Sequence, residues 1–170
     1  MADEVILGAG KLYLMDYVDE IPTDILLEVD ANSMGRSKGG ASLEYKPTEY
    51  EVVDDNAEVV KRFISKEEVS FKSGILTWDL KNLEKLSPGV LTTDELAKTL
   101  KIGGAKALKN YALRFVHTKD DDKKLRITMV ATAGNGFTLT FAGDKETVID
   151  ATFKAISQTD GTLVEIKEEI

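Results

Sequence analysis

Residues 59 to 88, VVKRFISKEEVSFKSGILTWDLKNLEKLSP, change hydrophobic period once, and that single change limits what the chain can fold into. Val69 and Phe71 alternate with Glu68, Ser70 and Lys72, which puts apolar side chains on one face of a β-strand. From there the period lengthens: Leu76, Leu80, Leu83 and Leu86 fall on one helical stripe, with Asp79, Lys81, Asn82, Glu84 and Lys85 mostly off it. The stretch therefore predicts a strand followed by a short helix. Thr77 or Asp79 can cap the helix start by accepting backbone N–H groups, and Ser87, Pro88 and Gly89 end it. One leucine stripe cannot cover itself, so the rest of the chain is expected to supply a sheet.

A chain of 170 residues fits one domain with a real core. Its 22 Lys plus Arg against 30 Asp plus Glu give −8 at pH 7, a balance that opposes tight binding to phosphate backbones. With no cysteine there is no disulfide framework, no thiolate nucleophile and no Cys-ligated zinc. The opening MADEVILGAG carries Asp3 and Glu4 where a secretory leader has Lys or Arg, and no run approaches the ~20 apolar residues of a membrane helix. A soluble chain made in the cytoplasm, with no membrane partner, is the expectation.

In chain order, Val5 to Tyr17 is apolar on both faces around Leu12, Tyr13, Leu14 and Met15. Such a strand is buried on both faces, in the middle of a sandwich or between the core and a neighbouring subunit. After Ile25 to Val29 comes ANSMGRSKGG, a Gly-rich segment at about 31–41 read as a flexible basic loop. Leu43 and Tyr45 alternate with polar neighbours, and past Pro47 the alternation resumes on the other parity at Tyr50 and Val52, the mark of a bulge or an edge strand. Asp54 to Asn56 makes a turn and Val59 begins the return, a long hairpin. Leu96 and Leu100, four apart, suggest a turn or two of helix within 93–104. Tyr111 to Phe115, the turn Lys119 to Lys123, and Leu125 to Ala131 read as a second hairpin with one face on a core. Gly134, Asn135 and Gly136 break the run; strands then carry Phe137 to Phe141, Ile149 to Ala155, and, past the turn Thr159 to Gly161, Val164 and Ile166. Seven or so strands and one helix make an antiparallel β-sandwich or barrel, mainly β, with one short packed α-helix.

No chemical motif survives inspection. GAGK at 8 to 11 resembles a phosphate loop, but Leu12 stands where Ser or Thr binds magnesium and Val5 where the first glycine belongs. Asp120, Asp121 and Asp122 lack the spacing, mid-loop glycine and terminal glutamate of a calcium loop. His117 is the only histidine, so no two-histidine metal site can form. Catalytic, metal and cofactor sites are accordingly expected to be absent. Trp78 lies off the leucine stripe and either closes the core edge or meets a partner.

The runs MGRSKGGASLEYKP at 34 to 47, EEVSFKSGILTWDLKNLEKLSPG at 67 to 89 and TFKAISQTDGTLVEI at 152 to 166 resemble, in their order of parts, the major tail proteins that build the inner tube of long-tailed bacteriophages. The resemblance spans roughly Val5 to Ile166, and the same fold class occurs in tube proteins of contractile tails, phage-tail-like bacteriocins and type VI secretion. It implies a structural virion protein of the tail, self-assembling as a homo-oligomer. Hexameric rings stack into a tube, and DNA passes down the lumen without specific binding during genome ejection. Tape measure and terminator proteins are the implied assembly partners. It also implies that the 31–41 loop reaches the adjacent ring, which makes Met34, Arg36 and Lys38 the candidate inter-ring assembly residues. Two rivals stand beside it: a monomeric carbohydrate-binding module, which needs an aromatic platform, and an enzyme, which needs Asp16, Asp19 or Glu20 to meet His117.

Overall fold

The computed structural model describes residues 8–104, 107–134 and 136–170. Val5 to Leu7 of the first expected strand, and Asn135 of the expected break, lie outside the described residues. The fold is mainly β and antiparallel throughout, with ten strands and two short helices among the described residues. β1 (Lys11–Asp16) leads to a one-turn helix α1 (Asp24–Leu27) and a 3-10 turn at Asp30–Asn32. β2 (Ser37–Val53) and β3 (Val59–Ile75) form the long hairpin, and α2 (Leu80–Lys85) follows. A small hairpin, β4 (Val90–Thr93) with β5 (Lys98–Lys101), precedes β6 (Tyr111–Thr118), β7 (Lys124–Thr132), β8 (Phe137–Leu139), β9 (Ile149–Ala155) and β10 (Glu165–Glu168).

The main sheet runs β1-β6-β7-β9-β3-β2, and its hydrogen bonding returns to β1. Ser33 bridges Tyr13 and the Met34 N–H donates to the Leu12 carbonyl at 2.9 Å. On the far side the Leu76 N–H donates to the Arg36 carbonyl at 2.7 Å, and Ser37 pairs with Ile75. Residues 33–37 thus join the first strand to the fifth and close the barrel, which leaves β2 as the open edge among the described residues. β7 and β9 pair only where Ala131 and Thr132 face Ala155 and Lys154. Beyond that contact β8 continues the line of β7 along β9, and β10 continues the line of β9 along β7. Each is one strand interrupted by a short excursion.

Leu12, Leu14, Phe71, Ile75, Leu113 and Phe153 are among the buried side chains that fill the barrel. α2 closes one end through Leu83 and Leu86, with Leu80 against the same cluster. Asp79 is its cap, accepting the Lys81 N–H at 3.0 Å. The helix is shorter than the leucine spacing predicts: Leu76 lies before it and spends its N–H on the barrel closure. Asn82 donates to the Met34 carbonyl at 3.1 Å and Lys85 to the Leu14 carbonyl at 3.1 Å, fastening the helix to the closing segment and to β1.

Two expectations are corrected. Residues 93–104 form no helix. The Asp94 carboxylate accepts the N–H groups of Leu96 (2.9 Å) and Ala97 (2.8 Å), an Asx turn that stops helical growth, and β-branched Thr92, Thr93 and Thr99 favour the extended β4–β5 pairing. Leu96 stands in solvent at the hairpin tip. The β6–β7 hairpin, expected to bury one face, buries both: Ala112, Arg114, Val116, Arg126, Thr128 and Val130 on its outer side are covered as well. The cover includes the chain's own α1, whose Leu27 is fully buried, so the two-faced apolarity of β1 and β6 is satisfied within one subunit.

Candidate assembly surface

β9 pairs with β3 only from Ser70 to Ile75. From Val59 to Lys66 the only strand beside β3 among the described residues is β2, and this two-stranded arm extends roughly 20 Å from the body at about 3.3 Å per residue. Its turn is firm, since the Asp54 carboxylate accepts the N–H groups of Asn56 and Glu58, both at 2.9 Å. Ser65 is an extra residue opposite the Thr48–Glu49 step and donates its hydroxyl to the Thr48 carbonyl at 3.0 Å, a bulge one residue past Pro47. Both faces of the arm are apolar and wet. Tyr50 (62% exposed) and Phe63 (47%) are paired across one face. Ile64, Val53 and Val59 lie on the other, where Arg62 bonds Glu51 at 2.8 Å. Along its outer side β2 has no strand partner among the described residues, a row of backbone donors and acceptors open to another chain.

The segment read as a flexible loop is built into this framework. Met34 is 1% exposed inside the core, so its side chain does not stand on the surface where an inter-ring contact would form. An apolar side chain beside glycines is as suited to plugging a barrel seam as to meeting a neighbour, and spacing alone did not separate the two. Arg36 is exposed, its N–H held by the Thr77 hydroxyl at 2.8 Å. Lys38 is exposed and ion-paired with Glu146. Gly35, at φ +85°, lies where a side chain would strike Thr77, and a Cβ at Gly74 would stand 2.2 Å from the Lys38 carbonyl oxygen. Both glycines let the closing segment cross over the end of β3.

On the opposite flank a charge cluster clamps α1. Arg114 donates Nε–H to the Thr128 hydroxyl at 3.0 Å and pairs with Asp24 and, at 3.3 Å, with Glu28. Arg126 bonds Glu28 at 2.6 Å and also Glu169 near the C-terminal end, while Lys124 reaches Glu28 at 3.3 Å. Burial pushes the Glu28 carboxyl up, but the hydrogen bonds and charges of Arg126 and Lys124 outweigh it and hold the group below its ordinary value. Asp24 is lowered by its hydrogen bond to Arg114, and Glu169 by its bond to Arg126. Sequence reasoning missed this clamp. Part of its signal was present: Arg114 interrupts the apolar run from Tyr111 to Val116, whereas Arg126 reads as an ordinary polar position in the alternation of Leu125, Ile127 and Met129.

The remaining singled-out residues scatter. His117 is buried with Nδ1 3.0 Å from the Ala9 carbonyl oxygen, whereas Asp16 pairs opposite Tyr111 at the other end of β6, about 20 Å away. Asp121 and Asp122 belong to the β6–β7 turn, where Asp121 pairs with Lys123 at 3.1 Å. Lys11 of GAGK is an exposed strand residue. Trp78 is on the surface, edge-on to Phe141 with ring centres 6.1 Å apart, a neighbour its sequence position did not suggest. Among the described residues no cluster of His, Cys, Asp or Glu is arranged to hold a metal ion, and no helix is long and apolar enough to cross a membrane. Compared with protein-family models and with curated proteins, the chain matches none.

Proposed function

We propose that this chain is a self-assembling structural protein, a phage tail tube subunit whose copies close into hexameric rings and stack into a conduit for the genome. The observation that carries the reading is the arm. Two strands with apolar side chains on both faces and an open outer edge are marginal in water on their own, and further copies of the chain supply what they lack. The barrel interior, by contrast, is filled within the subunit, so association is a task for surfaces outside it, the arm and the β2 edge first among them. The acid excess of −8 suits a wall that phosphate slides past, and Arg36 and Lys38 remain the exposed candidates for contact between rings. In this reading the protein is not an enzyme and works in the virion tail, after synthesis in the host cytoplasm.

A glycan-binding role is less well served. Trp78 and Phe141 meet at 62°, so the pair does not offer the one flat face on which a sugar ring stacks. Size exclusion with light scattering, followed by negative-stain microscopy of the concentrated protein, tests the proposal. Rings or tubes are the expected result. A species that stays monomeric at every concentration would overturn it, and retention of that monomer on a glycan array would favour the recognition module.

A further inference from the structure

The α1 surface is a second apolar patch that the body leaves uncovered. Ile25 is 85% exposed and Leu26 58%, with Val29 beyond the helix and Val18 before it also facing solvent. Exposed β-branched and leucine side chains gathered around one short element are unusual for a subunit that lives alone. The patch is also set in negative charge: from Leu12 to Gly35 the chain carries Asp16, Asp19, Glu20, Asp24, Glu28 and Asp30 and no Lys or Arg. Asp24 and Glu28 turn inward to Arg114 and Arg126, while Asp19, Glu20 and Asp30 form no ion pair among the described residues.

One face of the arm carries the complementary surface: the arm's five acids lie elsewhere, Glu49 and Glu51 on the opposite face with Arg62, and Asp54, Asp55 and Glu58 at the turn. On that face Tyr50 and Phe63 are paired, Val52 faces Lys61, and Lys66 follows opposite Thr48. The run from Val59 to Lys66 holds Lys61, Arg62 and Lys66 with no acid. Arg62 is spent on Glu51 and Lys66 approaches Glu68 at 3.5 Å, but Lys61 has no carboxylate partner among the described residues and lies 4.6 Å over the Phe63 ring. Within one copy both surfaces remain open.

We infer that the Tyr50–Phe63 face of the arm docks on the α1 patch of a second copy, with Phe63 against Ile25 and Leu26 and with Lys61 toward Asp19 and Glu20. The inference rests on the assembly reading above and names the receiving surface. Because the two patches differ, the contact is head-to-tail, and it propagates from copy to copy until a ring or stack closes. Apolar area supplies the affinity, while opposite charge sets the direction and suppresses arm-to-arm pairing.

The absence of cysteine from the sequence makes the test free of background. Ile25→Cys protein is mixed with Phe63→Cys protein under mild oxidation at a concentration where the unmodified protein assembles. A disulfide-linked species of twice the subunit mass is expected in the mixture and in neither variant alone, since a bridge forms only when the two backbones come within about 7 Å. In parallel, Lys61→Glu is expected to abolish assembly, and mixing it with an Asp19→Lys/Glu20→Lys variant is expected to restore it. Rings that form normally without the mixed disulfide, and that survive Lys61→Glu, would overturn this docking while leaving the tube subunit standing. Unmodified protein that never assembles would remove both.

Discussion

The two halves of β3 have similar apolar content and opposite surroundings. Val69, Phe71 and Ile75 are buried to within 2% exposure, whereas Val59, Val60, Phe63 and Ile64 are exposed, although the same strand β2 pairs with both halves. The difference is what lies next in the layer. From Ser70 onward β9 adds a third strand and Leu163 and Val164 pack nearby, while before it no other element among the described residues follows the hairpin outward. Hydrophobicity sets the demand for burial, and topology decides whether the subunit meets it alone. The largest measurable contrast is therefore between aromatic truncations in the two halves of the molecule. Phe153→Ala, which empties a fully buried site on β9, should cost roughly 3–5 kcal/mol in denaturant unfolding of the subunit. Phe63→Ala on the arm should stay within about 0.5 kcal/mol of the parent. Equal losses would mean that the arm folds back on the body in solution.

Next in size is the clamp on α1. Glu28 faces Arg126, Arg114 and Lys124 at once, with its side chain 11% exposed. Replacing it by alanine leaves buried guanidinium groups without their shared carboxylate, at a cost of roughly 3 kcal/mol. Hydrogen exchange should show the loss concentrated at α1 and at β10, because Arg126 also holds Glu169. The arm should exchange as before, which separates a local clamp from a general weakening.

Acid should act on the same flank in a graded way. Asp24, Glu28 and Glu169 all have carboxyls held below their ordinary values. The unfolded chain then binds protons more readily than the folded one, so the stabilisation is complete above the ordinary carboxylate value near 4 and is lost as pH falls through the lowered folded values. Thermal melts between pH 7 and pH 3 should show the midpoint falling at the acid end, with a smaller fall in Glu28→Gln, which has one coupled carboxyl fewer. An identical acid slope in both proteins would show that other carboxylates carry the effect.

Much of this architecture was legible from side-chain period. The alternation around Phe71, a helix cap at Thr77 or Asp79, the Asp54 turn and a bulge or edge beside Pro47 are local events that local sequence carries, and the structure selects Asp79 and the bulge. What escaped depends on contacts between distant segments. Met34 reads as a loop residue because its burial comes from Leu12, Asn82 and the closure of the barrel, none of which is near it in sequence. The α1 turn is too short for a period to register, and its hold on β6 and β7 is electrostatic. The false helix at 93–104 followed a leucine spacing that Asp94 overruled. Of the three proposed assembly residues, Arg36 and Lys38 stand where a neighbour can reach them, and the arm, whose hairpin was evident, was not seen as a surface until its lack of further partners was on view.

Removing the whole arm should cost the isolated subunit little, and it is the most informative change. Excising residues 49–65 and joining Thr48 to Lys66 through Asn-Gly keeps β2 and β3 paired up to the point where Val69 enters the core, and a two-residue turn of that type matches the strand twist. The lost contacts are exposed ones: the Arg62 pairs with Glu51 and Glu49, and the Lys61–Phe63 stack. Exposed ion pairs contribute a few tenths of a kcal/mol each, so the trimmed protein should unfold within about 1 kcal/mol of the parent. Light scattering of the same sample should nevertheless show that assembly is gone at concentrations where the full chain associates. An element whose removal leaves the fold intact and ends self-association has its free energy in the contact with another copy. A trimmed protein that still forms rings would move that role to the β2 edge between Ala41 and Thr48.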